Sequence, residues 1–229
     1  AKNKKTKDKI FFFEKILSFD PESFELNINI GIAYYELSEF DKALNYFHKA
    51  ERLKKSEEVY YNIALVYEKK QDIEKAIKNY IQSTKINSNK KDSYINLGRL
   101  YLESKDFNNA MESYKIALKL SPQNPNIYHN IGITLTKLDD LEGAIKSYLQ
   151  AIKYNSSNSL TYYNLGVLYD KLNNWKNCII YFQKAIIIDN KNPKFFYNLA
   201  LAQRRLGKYY DAIKNFNKAI NYSENYLNA

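Results

Sequence analysis

The sequence predicts an all-α solenoid of stacked helix pairs, and two observations carry this prediction. The first is a string that recurs about every 34 residues. It reads Tyr-Tyr-Asn-Leu-Gly-Val-Leu-Tyr at 162–169, Tyr-Ile-Asn-Leu-Gly-Arg-Leu-Tyr at 94–101 and Tyr-His-Asn-Ile-Gly-Ile-Thr-Leu at 128–135. A unit of this length is too small to bury its own apolar face, so it has to stack on its neighbours.

The second observation is that small residues hold fixed places in every unit. We number the places so that the recurrent glycine is place 8. Places 8, 20 and 27 are then small in all six units, which lets two helices approach closely, whereas places 4 and 24 are large and mostly aromatic. Place 8 holds Gly31, Ala64, Gly98, Gly132, Gly166 and Ala200; place 20 holds Ala43, Ala76, Ala110, Ala144, Cys178 and Ala212; place 24 holds Phe47, Tyr80, Tyr114, Tyr148, Phe182 and Phe216.

This pattern of an aromatic, Leu-Gly, Tyr, Ala, an aromatic and Ala resembles the tetratricopeptide repeat (TPR) family. The resemblance implies a right-handed α-α superhelix of antiparallel helix pairs. It divides the chain into six units, at 24–56, 57–90, 91–124, 125–158, 159–192 and 193–226. The closing proline of the family pattern is present only as Pro21 and Pro122, a departure that falls in turns, where composition is loosely constrained.

Both ends depart from whole repeats. Residues 1–9 are predicted to be a basic tail, 10–23 the second helix of a preceding half repeat, and 227–229 a truncated end. Because solenoids need polar caps, we expect the sequence to be a segment of a longer protein, with weak end-to-end self-association through its uncovered apolar faces.

The composition disfavours several classes of function. The formal net charge is +10, but much of the lysine accompanies abundant Asn, Ile and Tyr, so we interpret it mainly as a solvated surface. One cysteine, two histidines and the absence of a Gly-rich phosphate loop predict no enzyme activity, no cofactor and no metal site. No membrane insertion is predicted, and the cytoplasm is favoured as the location of this segment.

Place 6, on the first helix of each unit, is asparagine in all six units: Asn29, Asn62, Asn96, Asn130, Asn164 and Asn198. Asparagine is a poor residue inside a helix, so something must favour it there. Two explanations stay open. The amides bond within the scaffold, or they bind the backbone of an extended peptide, as implied by a similarity to the asparagine ladder in the TPR superhelix of O-GlcNAc transferases.

The resemblance places this helix on a concave groove, where aromatic and basic side chains are further candidates for peptide binding. They are Tyr61, His129, Tyr163 and Tyr197 at place 5, together with Lys194, Arg204 and Arg205 in the last unit. Place 2 changes from acidic to basic along the chain, as Glu25, Glu58, Asp92, Asn126, Leu160 and Lys194. The clamp for chaperone C-termini is disfavoured, because no unit has lysine at place 5 or asparagine at place 9.

These observations predict a non-enzymatic scaffold that binds an extended segment of a partner protein. A substrate-docking arm of a larger enzyme, such as a glycosyltransferase, is the alternative. Helical-repeat RNA binding is a weaker alternative, because six identical asparagines would make a monotonous base code, and a nucleic-acid partner is therefore disfavoured.

Overall fold

The computed structural model describes residues 2–227 of the chain, and all the regular structure in this range is helical. The first helices of the six repeats are α2, α4, α6, α8, α10 and α12. Each of them begins at the residue where the sequence predicts that its repeat begins. The helices are α1 (Lys2–Leu17), α2 (Phe24–Glu36), α3 (Phe40–Leu53), α4 (Glu57–Lys69), α5 (Ile73–Ile86), α6 (Lys91–Glu103), α7 (Phe107–Leu120), α8 (Pro125–Lys137), α9 (Leu141–Tyr154), α10 (Ser159–Lys171), α11 (Trp175–Ile188), α12 (Pro193–Arg205) and α13 (Tyr209–Leu227). The predicted all-α class of antiparallel helix pairs is confirmed.

The helix starts follow from local capping chemistry. Ser56 Oγ accepts a hydrogen bond from the backbone N–H of Val59 at 3.2 Å and so caps α4. Asn192 caps α12 in the same way, through the backbone N–H of Lys194 at 3.2 Å. Pro193 then occupies the first helical turn, where its missing N–H costs nothing.

Each first helix is followed, at place 15 of the repeat, by a residue whose backbone adopts the left-handed conformation with positive φ. The backbone φ is +62° at Ser38, +61° at Gln71, +64° at Lys105, +63° at Asp139, +55° at Asn173 and +78° at Gly207. The next backbone N–H returns to the carbonyl of place 11, as in Asp106 to Tyr101 at 2.8 Å, which closes the helix C-terminus and turns the chain into the second helix.

We expect Lys105→Gly to raise the free energy of unfolding by up to about 1 kcal/mol, because glycine adopts a positive φ without strain. Gly207→Ala should have the opposite effect and a similar size, since a Cβ there meets no atom within 4 Å and only backbone strain changes. Urea denaturation of both variants checks the pair. Two changes of the same sign would contradict the explanation.

Within a repeat, the two helices pack closely where the small residue at place 8 of the first helix faces the aromatic ring at place 24 of the second helix. A Cβ on Gly31, Gly98, Gly132 or Gly166 would lie 2.5 or 2.6 Å from that ring. The rings themselves are at most 2 % exposed in the first five units, and the small residues at place 20 are at most 2 % exposed in all six. The expected close approach of the helices is therefore present in the four units that have glycine.

The helices form two compact units, residues 1–120 and 121–229. The core of the first contains a cluster around Phe47 and Ile63 and another around Tyr80 and Leu97. The core of the second contains clusters around Tyr148 and Leu165 and around Phe182 and Phe195.

Helix α1 differs from its sequence-based boundaries. The segment 1–9, expected to be a tail, is helical from Lys2, and the helix ends at Leu17. Thr6 and Ile10, one turn apart, are both buried, and Glu14 accepts hydrogen bonds from the hydroxyls of Tyr34 and Tyr46, each at 2.9 Å. These contacts hold the helix on the first repeat, so a lysine-rich sequence can remain helical. At the other end α13 runs to Leu227, and residues 228–229 of the predicted truncated end lie outside the described range.

Candidate interaction site

The first helices expose a charged edge at place 2. Glu25, Glu58 and Asp92 are exposed in the first compact unit, and Asn126, Leu160 and Lys194 are exposed in the second. Each side chain lies in the first turn of its helix. In the first compact unit the three place 2 residues are acidic, whereas in the second compact unit the last of them is the cation Lys194.

The asparagines of the first compact unit have three different environments. Asn29 is exposed. Asn96 is half-buried and donates from Nδ2 to the hydroxyl of Tyr80, place 24 of the preceding repeat, at 3.0 Å. Asn62 Nδ2 is buried without a hydrogen-bond partner in the described residues. The ring at place 24 of its preceding repeat is Phe47, which has no hydroxyl to accept the bond.

The asparagines of the second compact unit are all half-buried. Asn198 donates to the hydroxyl of Tyr163 at 3.2 Å and to the backbone carbonyl of Lys194 at 2.8 Å. Burial raises the pKa of Tyr148 to about 12, although hydrogen bonds with Thr136 and Asn164 act in the opposite direction. Asn96, Asn164 and Asn198 thus bond within the scaffold, as the first of the two explanations expects.

A polar network that the sequence frame did not predict lies beside Asn96. The hydroxyl of Tyr80 donates to Glu68, and burial followed by the hydrogen bond to Glu68 raises the pKa of Tyr80. Arg99 pairs with the same carboxylate and also with Glu103, the latter at 2.8 Å. The charge of Arg99 is therefore partly neutralised, and hydrogen bonds to Glu68 and Glu103 fix the orientation of its guanidinium group. The sequence signal that could have predicted this ion pair is the spacing of Glu68 and Arg99, which are 31 residues apart, nearly one repeat.

The place 5 aromatics are less accessible than expected. Tyr163 is only 9 % exposed, because the ring of Phe195 stacks on it with centroids 5.0 Å apart. His129 packs edge-on against Tyr148, and its Nδ1 lies 2.8 Å from Thr161 Oγ1. Burial lowers the pKa of His129, which keeps the imidazole neutral at pH 7. Tyr163 therefore offers little surface to a partner, and its role in peptide binding stays a prediction.

Two place 5 tyrosines do reach the surface. Tyr61 is half-buried, edge-on to Tyr80, with Lys90 Nζ 5.2 Å from its ring centroid. Tyr197 is 50 % exposed and packs edge-on against Phe216. Tyr197 is consequently the place 5 side chain that offers the most area to a partner.

The three candidate cations of the last repeat differ in the contacts that they make. Lys194 is exposed, and its ammonium lies 5.2 Å from the ring centroid of Tyr163. Arg204 is exposed. Arg205 is exposed and forms a salt bridge with Asp170, so its charge is partly neutralised within the scaffold, and its role in peptide binding stays a prediction. The bridge joins place 13 of one repeat to place 12 of the repeat before it.

Other chemistry of the described residues is sparse. Between residues 2 and 227, no group of three His, Cys, Asp or Glu side chains is arranged to hold a metal ion. Burial raises the pKa of the Cys178 thiol to about 12, which keeps the thiol protonated. Over the same range, every helix is too short or too polar to cross a bilayer.

Comparison with known proteins agrees with the fold. Tetratricopeptide repeat models match residues 57–90, 98–139, 134–173, 159–192 and 181–214. The chain belongs to the TPR family. No curated protein sequence matches the chain significantly.

Solved structures share the fold at low sequence identity. MamA is 26 % identical with a TM-score of 0.70, over 73 % of this chain and 98 % of its own. YrrB, described as a TPR protein with an unusual peptide-binding site, is 19 % identical with a TM-score of 0.66, over 79 % and 94 %. PilF of Pseudomonas aeruginosa is 15 % identical with a TM-score of 0.71, over 89 % of each chain.

Proposed function

We propose that this chain is a non-enzymatic protein-interaction scaffold that binds an extended segment of a partner protein along its first helices. The observation that carries the proposal is the way the asparagine amides are fixed. Asn96 and Asn198 are anchored through Nδ2, whereas their Oδ1 atoms accept no hydrogen bond from any described residue. An amide oxygen held in one direction is an acceptor for the backbone N–H of an extended peptide.

The asparagines would therefore serve both the scaffold and the ligand. At Asn96 and Asn198 the nitrogen joins one repeat to the preceding one, and the oxygen would face the partner. This differs from a ladder in which both ends of each amide bind the peptide, because a single kind of hydrogen bond, from the peptide to the protein, is available at Asn96 and Asn198. Backbone hydrogen bonds of this kind give affinity without reading the partner's side chains.

Side-chain preference would come from the exposed charges. In residues 1–120 the exposed acids Glu25, Glu58 and Asp92 favour basic side chains of the partner, and in residues 121–229 Lys194 and Arg204 favour acidic ones. Complementary charges set orientation and specificity more than affinity. A substrate-docking arm of a larger enzyme would use the same face, so the binding prediction applies to both possibilities.

A pair of asparagine variants tests the proposal on an array of short unstructured peptides. Asn29→Ala should weaken binding across many peptide sequences by about fivefold, the value of one hydrogen bond, without changing the melting temperature, because Asn29 is exposed. Asn96→Ala should weaken binding similarly and also lower the free energy of unfolding by about 1 kcal/mol, because Tyr80 loses a donor.

The matched control is Asn45→Ala, which removes an exposed asparagine from α3, a second helix. It should leave peptide binding and the melting temperature unchanged. If Asn29→Ala and Asn45→Ala have the same effect on binding, the amides at place 6 do not bind the peptide and the proposal is wrong.

A further inference from the structure

The outward face of α11 differs from the corresponding face of the other second helices. Ile180 at place 22 and Ile187 at place 29 are 45 % and 80 % exposed, and they lie two turns apart on one side of the helix. In the other five repeats both places are exposed and polar, so the fold does not require an isoleucine at either. They hold Asn45, Lys78, Glu112, Lys146 and Lys214 at place 22, and Arg52, Lys85, Lys119, Lys153 and Asn221 at place 29.

The charge on the same face of α11 is also unusual. Place 18, in the first turn of the second helix, is Lys176 in α11. A cation in the first turn is opposed by the helix dipole, and Trp175–Ile188 contains no Asp or Glu that would offset it. The first four repeats have an acid or an asparagine at this place, namely Asp41, Glu74, Asn108 and Glu142. Three departures on one face, none of which favours the helix itself, indicate a role outside the repeat.

This face lies on the side of an internal repeat. The opposite side of α11 is buried, with Cys178 and Phe182 in a core cluster that Phe195 of α12 joins. The following repeat thus already stacks on α11. Because a repeat in a solenoid contacts only its neighbours, a further repeat at either end of the chain would not cover Ile180 or Ile187.

Lysines flank the apolar pair. Lys176 and Lys184 lie one turn before and one turn after Ile180, and both are exposed. The ammonium of Lys184 lies 5.4 Å from the ring centroid of Tyr181, which holds this cation beside the helix. The face is therefore apolar at its centre and positive at its edges. A surface that complements it has to offer apolar and acidic side chains together.

We propose that this face of α11 binds an acidic amphipathic helix of a partner protein. Apolar residues at i and i+7 of the partner helix contact Ile180 and Ile187, and acidic residues one turn from them face Lys176 and Lys184. The site is separate from the first helices, so it does not depend on the site proposed for the extended segment.

The backbone of α11 favours a helical occupant over an extended one. Within a helix, the backbone N–H and C=O groups bond to each other, so the side of α11 offers no backbone partner to a second segment. An extended segment lying on it would leave its own backbone groups unpaired, whereas a helix pairs them internally.

A second copy of this chain and a membrane surface fit the same face less well. Two α11 faces brought together would set Lys176 and Lys184 against the same lysines of the other copy, and like charges repel. A helix that lies on a bilayer buries a broad apolar face, whereas α11 offers two isoleucines between lysines. A partner helix with acids beside its apolar residues meets both requirements.

The test is a selection of helical peptides on the full chain. The probe is a display library of cross-linked helical peptides that are randomised along one face, depleted first on the Ile187→Lys variant. The selected peptides should carry apolar residues at i and i+7 with acidic residues one turn from them. No enrichment over the depleted library, or enrichment of basic peptides, would overturn the proposal.

Two variants with matched controls then locate the binding of a selected peptide by fluorescence anisotropy. Ile187→Lys should weaken binding at least about tenfold, the effect of losing one buried isoleucine contact, whereas Ile86→Lys, at an isoleucine on α5 that is 46 % exposed, should have no effect. Lys176→Glu should weaken binding about two- to fivefold, and Lys119→Glu, the same charge change on α7, should not. Equal effects within either pair would overturn the proposal.

The folded state is expected to survive both changes. Ile187 is 80 % exposed, and an acid at place 18 favours the first turn of the helix, so neither variant should lower the melting temperature. Vesicles of phosphatidylserine and phosphatidylcholine, and sedimentation of the chain alone, should show no vesicle binding and no dimer that Ile187→Lys abolishes. Either result would assign the face to a membrane or to a second copy and overturn the proposal of a partner helix.

Discussion

Tyr80→Ala is expected to lower the free energy of unfolding by about 3–5 kcal/mol, the range for removing a fully buried aromatic ring. Tyr80 is 0 % exposed and packs with Ala64, Ala76 and Leu97 in the core of residues 1–120. Its hydroxyl also joins Glu68 to Asn96. Removing the side chain therefore leaves a cavity, and Asn96 and Glu68 each lose their hydrogen bond to the hydroxyl. Urea denaturation followed by circular dichroism measures the loss.

Tyr80→Phe is the matched control, because it keeps the ring and removes only the hydroxyl. Phe47 and Phe182 hold the same place in other repeats and are 1 % and 2 % exposed, so the fold accepts the smaller side chain. We expect a loss of about 1–3 kcal/mol, the cost of leaving buried hydrogen-bonding groups unpaired. Equal losses for the two variants would mean that the ring contributes no packing energy, contrary to this description.

Gly98→Leu should lower the free energy of unfolding by about 3 kcal/mol, at the upper end of the range for overpacked cores. A Cβ at Gly98 would already lie 2.5 Å from the ring of Tyr114, which is fully buried and cannot move aside freely. The larger side chain would force α6 and α7 apart, and with them the packing of the whole repeat. Thermal and urea denaturation check the result.

Gly98→Ala gives a graded comparison. The ring of Tyr114 would have to move, since a Cβ at Gly98 would lie 2.5 Å from it. This cost offsets the gain of about 1 kcal/mol in helix propensity of alanine over glycine. Ala64 already holds this place beside Tyr80 in another repeat. We therefore expect a net change close to zero. A leucine variant as stable as the alanine variant would show that the close approach of α6 and α7 is not required.

The helix pairs could be predicted from the sequence because their causes recur. Small residues and aromatic rings recur at fixed places in all six units, so the starts of the first helices were predictable to the residue. Helix α1 was not, because its N-terminal half has no apolar period. What keeps it helical is the burial of Thr6 and Ile10 and the bonds from Tyr34 and Tyr46 to Glu14, which are contacts with distant parts of the chain.

The candidate site was predictable only in part. The six asparagines stood out, but the partner of Asn96 is a hydroxyl in the preceding repeat, and no local pattern relates the two. The same holds for the pairing of Arg205 with Asp170 and for the ring of Phe195 that covers Tyr163. Each of these contacts depends on how one repeat stacks on the next, whereas the sequence pattern describes what happens within a repeat.

The proposed function expects the exposed acids of residues 1–120 to select basic peptide residues, and the exposed cations Lys194 and Arg204 to select acidic ones. The most direct measurement is a peptide array read with wild-type protein and two double variants, Glu25→Lys with Glu58→Lys and Lys194→Glu with Arg204→Glu, at low ionic strength. All four side chains are exposed, so the fold should not change. The proposal predicts that the first variant loses only the preference for basic peptides and the second only the preference for acidic ones. If neither preference changes, or if both change together with the net charge of the protein, the first helices are not the binding site.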